Sequence, residues 1–114
     1  MIIKKIKVFW TNHSKDKMRF YKLSEQRVLR ILNFPKRVEE GIAPNTIAMM
    51  QQAGSKKHPY EIWAMIQETK ARRKIISAWK YPGITKPHSE IAFNFFRREY
   101  GDYFLSENNK DMIG

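Results

Sequence analysis

His13 and Lys17 have the residue types and the spacing that proton transfer requires. They stand four positions apart, so on a helix they share one face. Imidazole exchanges protons near neutral pH, and a neighbouring ammonium ion favours the neutral imidazole that acts as a base. The pair therefore predicts general acid–base chemistry. The alternative is that His13 caps the helix or hydrogen-bonds the core while Lys17 is solvated.

Cleavage of RNA by its own 2′-hydroxyl group is a reaction that such a pair could catalyse. It needs a base for the hydroxyl proton, an acid for the leaving 5′-oxygen and cations beside the phosphate, but no metal. Metal-dependent nucleases converge several carboxylates on Mg²⁺, whereas the acids of this chain stand singly apart from Glu39-Glu40. The chain has no cysteine, which excludes thiolate metal sites and a thiol nucleophile. We therefore expect neither a metal nor another cofactor.

A basic run at a predicted hairpin turn could hold the phosphate. Arg72, Arg73 and Lys74 are consecutive, and successive side chains there point to different sides, so at least one can reach a bound phosphate. We expect Arg73 to stabilise the phosphate during catalysis, and Arg72 and Lys74 to contact the RNA. The alternative is a charged hairpin tip of the kind common in soluble sheets.

A second candidate surface lies on the strand that follows, where Trp79, Lys80 and Tyr81 bring together a stacking ring, a cation and a phenol. Aromatic rings beside cations are typical of single-stranded RNA binding. Strand alternation puts Trp79 and Tyr81 on one face and Lys80 on the other. We expect Lys80 and Tyr81 to act in catalysis. Trp79 is expected to bind RNA together with Lys56 and Lys57, unless its ring belongs to the core.

The elements that position these residues are predicted from periodicity, caps and breakers. The pattern predicts a strand, two helices, a three-stranded antiparallel meander and an aromatic helix that ends at Gly101. The predicted ranges are 2–11, 12–22, 25–33, 45–52, 60–68, 74–81 and from Ser89-Glu90 onward. The apolar stripe of the second helix consists of Val28, Leu29, Ile31 and Leu32. This order indicates an α+β fold in one domain over residues 1–106, with a frayed tail over 107–114.

The last helix is more aromatic than packing on one face requires. Its rings either belong to the core or form a docking surface for a partner protein or a second copy. The set comprises Phe93, Phe95, Phe96, Tyr100, Tyr103 and Phe104. His58 and His88, which adjoin prolines, are expected in exposed loops.

The net charge of +11 and the pI near 10 make polyanions the first partners to consider. The excess lies in the body of the domain, with +7 over residues 1–40 and +6 over 56–86, but −2 over 87–114. No apolar run approaches the roughly 18 residues of a membrane span. We therefore expect a cytoplasmic protein that binds RNA and has no membrane partner.

Three segments carry a resemblance to a known family, namely His13-Ser14-Lys15-Asp16-Lys17-Met18, Leu23-Ser24-Glu25-Gln26-Arg27-Val28 and Asn33-Phe34-Pro35-Lys36-Arg37-Val38-Glu39-Glu40-Gly41. They resemble the opening motifs of a bacterial family related to the BrnT and RelE toxins. Residues 74–82 are similar to the last core strand of that family, so the resemblance covers about residues 1–83 and leaves out the aromatic helix. Two positions depart from the pattern, since Lys17 and Tyr21 stand where the family has arginine.

The resemblance implies a compact RelE/BrnT-like ribonuclease fold, in which His13 matches the family's histidine. Its better-known members cut messenger RNA and are neutralised by a small antitoxin. The leading hypothesis is therefore a toxin of a toxin–antitoxin system that acts as a metal-independent endoribonuclease. Its substrate is RNA, which could be bound to the ribosome. A small acidic antitoxin would dock on the aromatic helix. Two alternatives stay open, a non-catalytic RNA-binding module on the same fold and a protein-interaction domain whose charge serves solubility.

Overall fold

The structure, a computed structural model, describes residues 7–70 and 72–113. This part of the chain forms an α+β fold with five strands and three helices, which confirms the predicted fold class. In chain order the elements are β1 (Lys7–Trp10), α1 (Asn12–Tyr21), α2 (Glu25–Asn33), β2 (Arg37–Glu40), β3 (Thr46–Gly54), β4 (Pro59–Glu68), β5 (Arg72–Pro82) and α3 (Glu90–Ile113). Residues 2–6 of the predicted first strand lie outside the described residues. Within those ranges, no helix is long and apolar enough to cross a membrane.

The strands form one mixed sheet in the order β1-β5-β4-β3-β2. Strands β2 to β5 are an antiparallel meander, one strand longer than predicted, and β1 joins in parallel to β5. The sequence pattern does not reveal β2, because Arg37-Val38-Glu39-Glu40 lacks apolar alternation. This edge strand instead buries Glu39, whose Oε2 pairs with Nε of Arg37 at 2.8 Å.

Helix α2 covers one face of the sheet, while α1 lies along β5 and also contacts α3. Side chains of α1, α2 and the sheet form the first core. The two helices begin at side-chain caps, Thr11 and Ser24. The apolar stripe of α2 is confirmed, since Ile31 and Leu32 are buried and Leu29 is half-buried. The first core consists of Met18, Leu23, Val28, Ile31, Leu32, Met49, Ile62, Ala64, Ile66, Ile75 and Ala78.

Helix α3 packs on the opposite face of the sheet and forms the second core with it. Its buried Phe96 meets the stacked indoles of Trp63 and Trp79, whose ring centroids are 5.9 Å apart. Phe104 is exposed, but the rest of the aromatic set is buried or half-buried, namely Phe93, Phe95, Phe96, Tyr100 and Tyr103. The aromatic stripe therefore belongs mostly to the second core and is not free to dock an antitoxin.

The predicted end of the last helix at Gly101 is wrong, because α3 continues to Ile113. A glycine ends a helix when the chain turns there into the left-handed region, and Gly101 does not have a positive φ. Phe96 and Tyr103 pack on either side of it, which outweighs the roughly 1 kcal/mol that glycine costs in a helix. Residues 107–113 thus belong to α3, and the predicted fraying of this end stays a prediction.

A β-bulge in β5 determines which of its side chains reach α3. Met65 pairs with Ser77 and Ile66 pairs with Ile75, so Ile76 is the extra residue. The bulge places Ile75 in the first core and both Ile76 and Ser77 on the α3 side. Strict alternation predicts Ile75 and Ser77 on one face, and this prediction is wrong.

A buried carboxylate fixes the segment that leads into α3. Glu61 accepts hydrogen bonds from the N–H of Thr85 at 2.9 Å, from its hydroxyl at 2.7 Å and from Nε1 of Trp63 at 3.0 Å. Arg37 donates to the carbonyl of Thr85 at 2.9 Å. These bonds hold Thr85 against β4 and β2 and so help to position the start of α3. His88 in this segment is exposed, as predicted.

Candidate functional site

Side chains from two elements, α1 and β5, converge on the carboxylate of Glu99, which projects from α3. The imidazole of His13 on α1 lies 3.2 Å away, from Nε2 to Oε2, and the hydroxyl of Ser77 on β5 donates to the same oxygen at 2.7 Å. The ammonium group of Lys17 pairs with Oε1 at 3.1 Å. His13 and Lys17 therefore share a helix face, as their spacing predicts, but they meet at a carboxylate rather than at each other.

Thr11 holds the start of α1 against β5. Its hydroxyl donates to the carbonyl of Ile75 at 2.8 Å, and its backbone N–H donates to the same carbonyl at 3.3 Å. The Thr11 hydroxyl oxygen also accepts the N–H of Ser14 at 3.0 Å. These bonds fix the first turn of α1, which carries His13, relative to the strand that carries Ser77.

The cluster around Glu99 is largely sealed from water. Glu99 is fully buried, and the exposed fractions of the His13 and Lys17 side chains are 10% and 24%. Burial alone would raise the pKa of the Glu99 carboxyl, but hydrogen bonds from its three partners and the charge of Lys17 outweigh burial and hold the pKa below its ordinary value. Glu99 is therefore an anion at neutral pH.

An ionised Glu99 selects one tautomer of the neutral His13 imidazole. The carboxylate can only accept, so Nε2 carries a hydrogen, and in the neutral ring Nδ1 then presents a lone pair. Among residues 7–70 and 72–106, no hydrogen bond reaches Nδ1. The N-cap position belongs to Thr11, so His13 is not the helix cap. Its Nδ1 is the nitrogen that could take a proton from another molecule.

Tyr103 and Lys74 border the cluster on the side of β1. The Tyr103 ring meets the His13 imidazole edge to face, with the ring centroids 6.4 Å apart. Nζ of Lys74 lies 5.2 Å from the centre of the Tyr103 ring. Lys74 therefore adds a second cation beside the cluster.

Arg73 and Lys80 are separated from this cluster. Both lie on the α2 face of the sheet, where Nε of Arg73 pairs with Oε1 of Glu68 at 2.9 Å and Nζ of Lys80 lies 5.5 Å from the Tyr60 ring centre. Tyr81 is on the α3 face but packs edge-on against an α3 phenylalanine 5.7 Å away. The predicted catalytic set is thus not one site, because β5 sends successive side chains to opposite faces.

The residues predicted to bind RNA are also dispersed. The ring of Trp79 is only 1% exposed and stacks between two other aromatic rings, so its predicted role in stacking on a base is wrong. Lys56 and Lys57 are exposed in the β3–β4 turn, at the opposite end of β4 from Arg72. Arg72 and Lys74, two residues apart at the start of β5, share the α3 side of the sheet.

Glu99 is the central residue of the cluster and the one that the sequence interpretation missed. A signal for it exists in the pattern of α3, where buried positions recur at Ala92, Phe96, Glu99 and Tyr103. These intervals of four, three and four residues are those of one helical stripe. A carboxylate within an apolar stripe indicates a buried charge that needs partners.

Comparison with known proteins adds no assignment. No protein-family model matches the chain, and neither a curated protein nor a solved structure matches it. The resemblance to the BrnT and RelE family therefore stays a prediction, and the function is argued from the cluster around Glu99.

Proposed function

We propose that the protein is a metal-independent endoribonuclease with His13 as its general base. The observation that supports this proposal is the hydrogen bond between Nε2 of His13 and Oε2 of Glu99, which leaves the lone pair of Nδ1 available. A carboxylate that orients an imidazole and stabilises its protonated form is the arrangement of hydrolytic histidine–carboxylate pairs. Glu99 touches no substrate in this scheme and acts as a positioning residue.

The reaction uses the 2′-hydroxyl of the RNA as the nucleophile. Nδ1 of His13 takes the hydroxyl proton while the 2′-oxygen attacks the adjacent phosphorus, and the bond from phosphorus to the 5′-oxygen breaks. Lys17 donates a proton to the departing 5′-oxygen. The products are a 2′,3′-cyclic phosphate and a 5′-hydroxyl end. Water then removes the proton from His13 and returns one to Lys17.

The charges of the cluster favour this reaction. The imidazolium ion forms beside the Glu99 anion, which stabilises it at a position with little access to water. Lys74, whose Nζ lies over the Tyr103 ring, is the cation that meets the phosphate. It takes the role predicted for Arg73 and Lys80, which face the other side of the sheet.

The motif segments over residues 13–41 and the charge of +11 support a toxin that cuts messenger RNA in the cytoplasm. The partner protein that inhibits this toxin would be an acidic antitoxin. Because the aromatic stripe of α3 packs in the second core, such an antitoxin would cover the basic surface instead.

A second candidate is a non-catalytic RNA-binding module on the same fold. Two observations favour it, namely the 10% exposed fraction of the His13 side chain and the separation of Arg73 and Lys80 from it. Such a module binds RNA and leaves it intact.

A cleavage assay on a fluorescent single-stranded RNA distinguishes the two candidates. It is run with and without ribosomes, and with and without a chelator. The nuclease proposal expects cyclic-phosphate ends, no effect of the chelator, and cleavage slowed about 10²-fold by His13→Ala with unchanged RNA affinity. The matched control is His58→Ala, which removes an exposed imidazole in the β3–β4 turn and should keep full activity. RNA that is bound but stays intact under every condition selects the binding module.

A further inference from the structure

We propose that single-stranded RNA docks on a surface formed by Lys7, Phe9, Arg72 and Lys74, named here the β1–β5 platform. A base stacks on the ring of Phe9, and the three cations contact the phosphates beside that base. The inference rests on the proposed function for its RNA substrate, but it concerns binding and holds without cleavage.

Sheet register places the four side chains of the platform on one face. In the parallel pairing of β1 with β5, Lys7 lies opposite Arg72 and Phe9 lies opposite Lys74. Residues two apart in a strand share a face, and the Arg72 guanidinium lies 4.9 Å from the centre of the Phe9 ring. This face is the α3 side of the sheet, because Nζ of Lys74 lies over Tyr103.

The platform combines a partly exposed aromatic ring with two cations that face each other across the strands. Phe9 is 46% exposed, whereas its neighbours Val8 and Trp10 pack against the first core. Lys7 and Arg72 are directly opposite each other and both exposed. Like charges in that position destabilise a sheet. A polyanion bound across the pair would remove the repulsion.

The neighbouring strand β4 supplies no acid to the platform. Lys74 pairs in register with Gln67, which is uncharged. The next residue, Glu68, turns to the other face and binds Arg73 at 2.9 Å. Among residues 7–70 and 72–106, the three platform cations therefore have no carboxylate partner.

An exposed ring beside several cations matches an unpaired nucleotide. Bases stack on phenylalanine rings and guanidinium planes, and the cations neutralise the phosphates between bases. The bases of a duplex already stack on one another, so the ring favours single strands. An acidic peptide would use the cations but not the ring, which is why RNA is the better match.

The platform adjoins the proposed catalytic cluster through Tyr103. The Tyr103 ring centre lies 5.2 Å from Nζ of Lys74 and 6.4 Å from the centroid of the His13 ring. An RNA strand that passes from Phe9 over Lys74 therefore approaches His13 across Tyr103.

The anisotropy of a labelled single-stranded RNA tests the platform in the His13→Ala background, where the expected cleavage is about 10²-fold slower and leaves time to measure binding. Phe9→Ala is expected to weaken binding on the order of tenfold, because one stacked base is lost, and Phe9→Tyr is expected to retain the affinity. Phe34→Ala is the matched control, since that ring is 73% exposed beyond α2, and it should not weaken binding. Arg72→Gln should reduce the log–log salt slope by about 0.7, whereas Arg30→Gln on α2 should leave it unchanged.

Several outcomes would overturn the platform. One is equal affinity losses for Phe9→Ala and Phe34→Ala in variants whose melting curves show a folded protein, and another is equal affinity for duplex RNA. A third is a polyglutamate peptide that displaces the RNA and binds equally well to Phe9→Ala, which identifies a general anion surface. Cleavage by the otherwise wild-type protein is scored separately. If the RNA stays intact but its binding depends on Phe9, the nuclease proposal is wrong and the platform is supported. If the RNA is cleaved but its binding does not depend on Phe9, the nuclease proposal is supported and the platform is wrong.

Discussion

The Glu99 carboxylate accepts a hydrogen bond from His13 at 3.2 Å, although 86 positions separate the two residues in the chain. One buried anion thereby ties α1 to α3, and the Ser77 hydroxyl brings β5 to the same oxygen. A buried charge is costly unless partners compensate it. Because the partners of Glu99 include both proton-transfer candidates, the bonds that hold the helices together also set the geometry of the proposed site.

Acid should weaken the fold through Glu99. Its pKa is lower in the folded protein than its ordinary value of 4.5, so the folded chain binds this proton less readily than the unfolded chain does. The stabilisation from the ionised carboxylate is therefore complete above the unfolded pKa and is lost as the pH falls through the folded pKa. Urea titrations at a series of pH values should show the free energy of unfolding decreasing below about pH 4.5.

The variant Glu99→Gln separates this effect from that of the other carboxyl groups. At neutral pH it should be about 2–3 kcal/mol less stable than the wild type, because hydrogen bonds to a charged group are lost. The difference should shrink in acid, since protonated Glu99 is also uncharged. A stability difference that stays constant from neutral to strongly acidic pH would show that the ionised form of Glu99 does not stabilise the fold.

The parts of the fold that depend on local periodicity can be predicted from the sequence. α2 has its predicted bounds, 25–33, and β4 sends Ile62 and Trp63 to opposite cores as alternation requires. The bulge at Ile76 cannot be predicted in this way, because it depends on the register of β5 against β4. The helical course through Gly101 likewise depends on packing against the sheet.

The candidate site is predictable only where its residues belong to one element. Spacing alone puts His13 and Lys17 on one face of α1. Their common partner Glu99 depends on where α3 crosses the sheet, which the pattern of α3 does not specify. The partner of Arg73 is likewise not predictable from the sequence. Arg73 pairs with Glu68 on the face of the sheet opposite α3, and the residues next to Arg73 in the chain do not indicate this pairing.

Truncation of α2 at its buried face should be costly. Ile31 is fully buried in the first core, so Ile31→Ala is expected to lower the free energy of unfolding by about 2–5 kcal/mol. Phe34→Ala removes a larger but exposed side chain one residue beyond α2. This variant should change the free energy of unfolding by no more than about 0.5 kcal/mol. Urea unfolding of both variants checks this, and comparable losses in the two would contradict the assignment of the first core.

Replacing either of two glycines by alanine should change the stability of the protein, in opposite directions at the two positions. Gly101 lies within α3 with open space around a built Cβ, so Gly101→Ala should raise stability by about 0.5–1 kcal/mol. Gly54 has φ +80° and its Cβ would lie 2.2 Å from the carbonyl oxygen of His58, so Gly54→Ala should lower the melting temperature. A loss of stability at Gly101 would argue against a continuous α3.

A mutant cycle between His13 and Glu99 tests whether the carboxylate works through the imidazole. His13→Ala is expected to slow single-turnover cleavage about 10²-fold, and Glu99→Gln should also slow it, because an amide can stabilise a different tautomer and no longer balances an imidazolium ion. The double variant should be no slower than His13→Ala alone, since no imidazole is left to position.

Ser77→Ala is the structural control for this cycle. It removes a 2.7 Å hydrogen bond to Glu99 but keeps His13, so it should lower stability with a much smaller loss of rate. Rate losses that multiply in the double variant would mean that Glu99 supports cleavage independently of His13, and the positioning role would then be wrong.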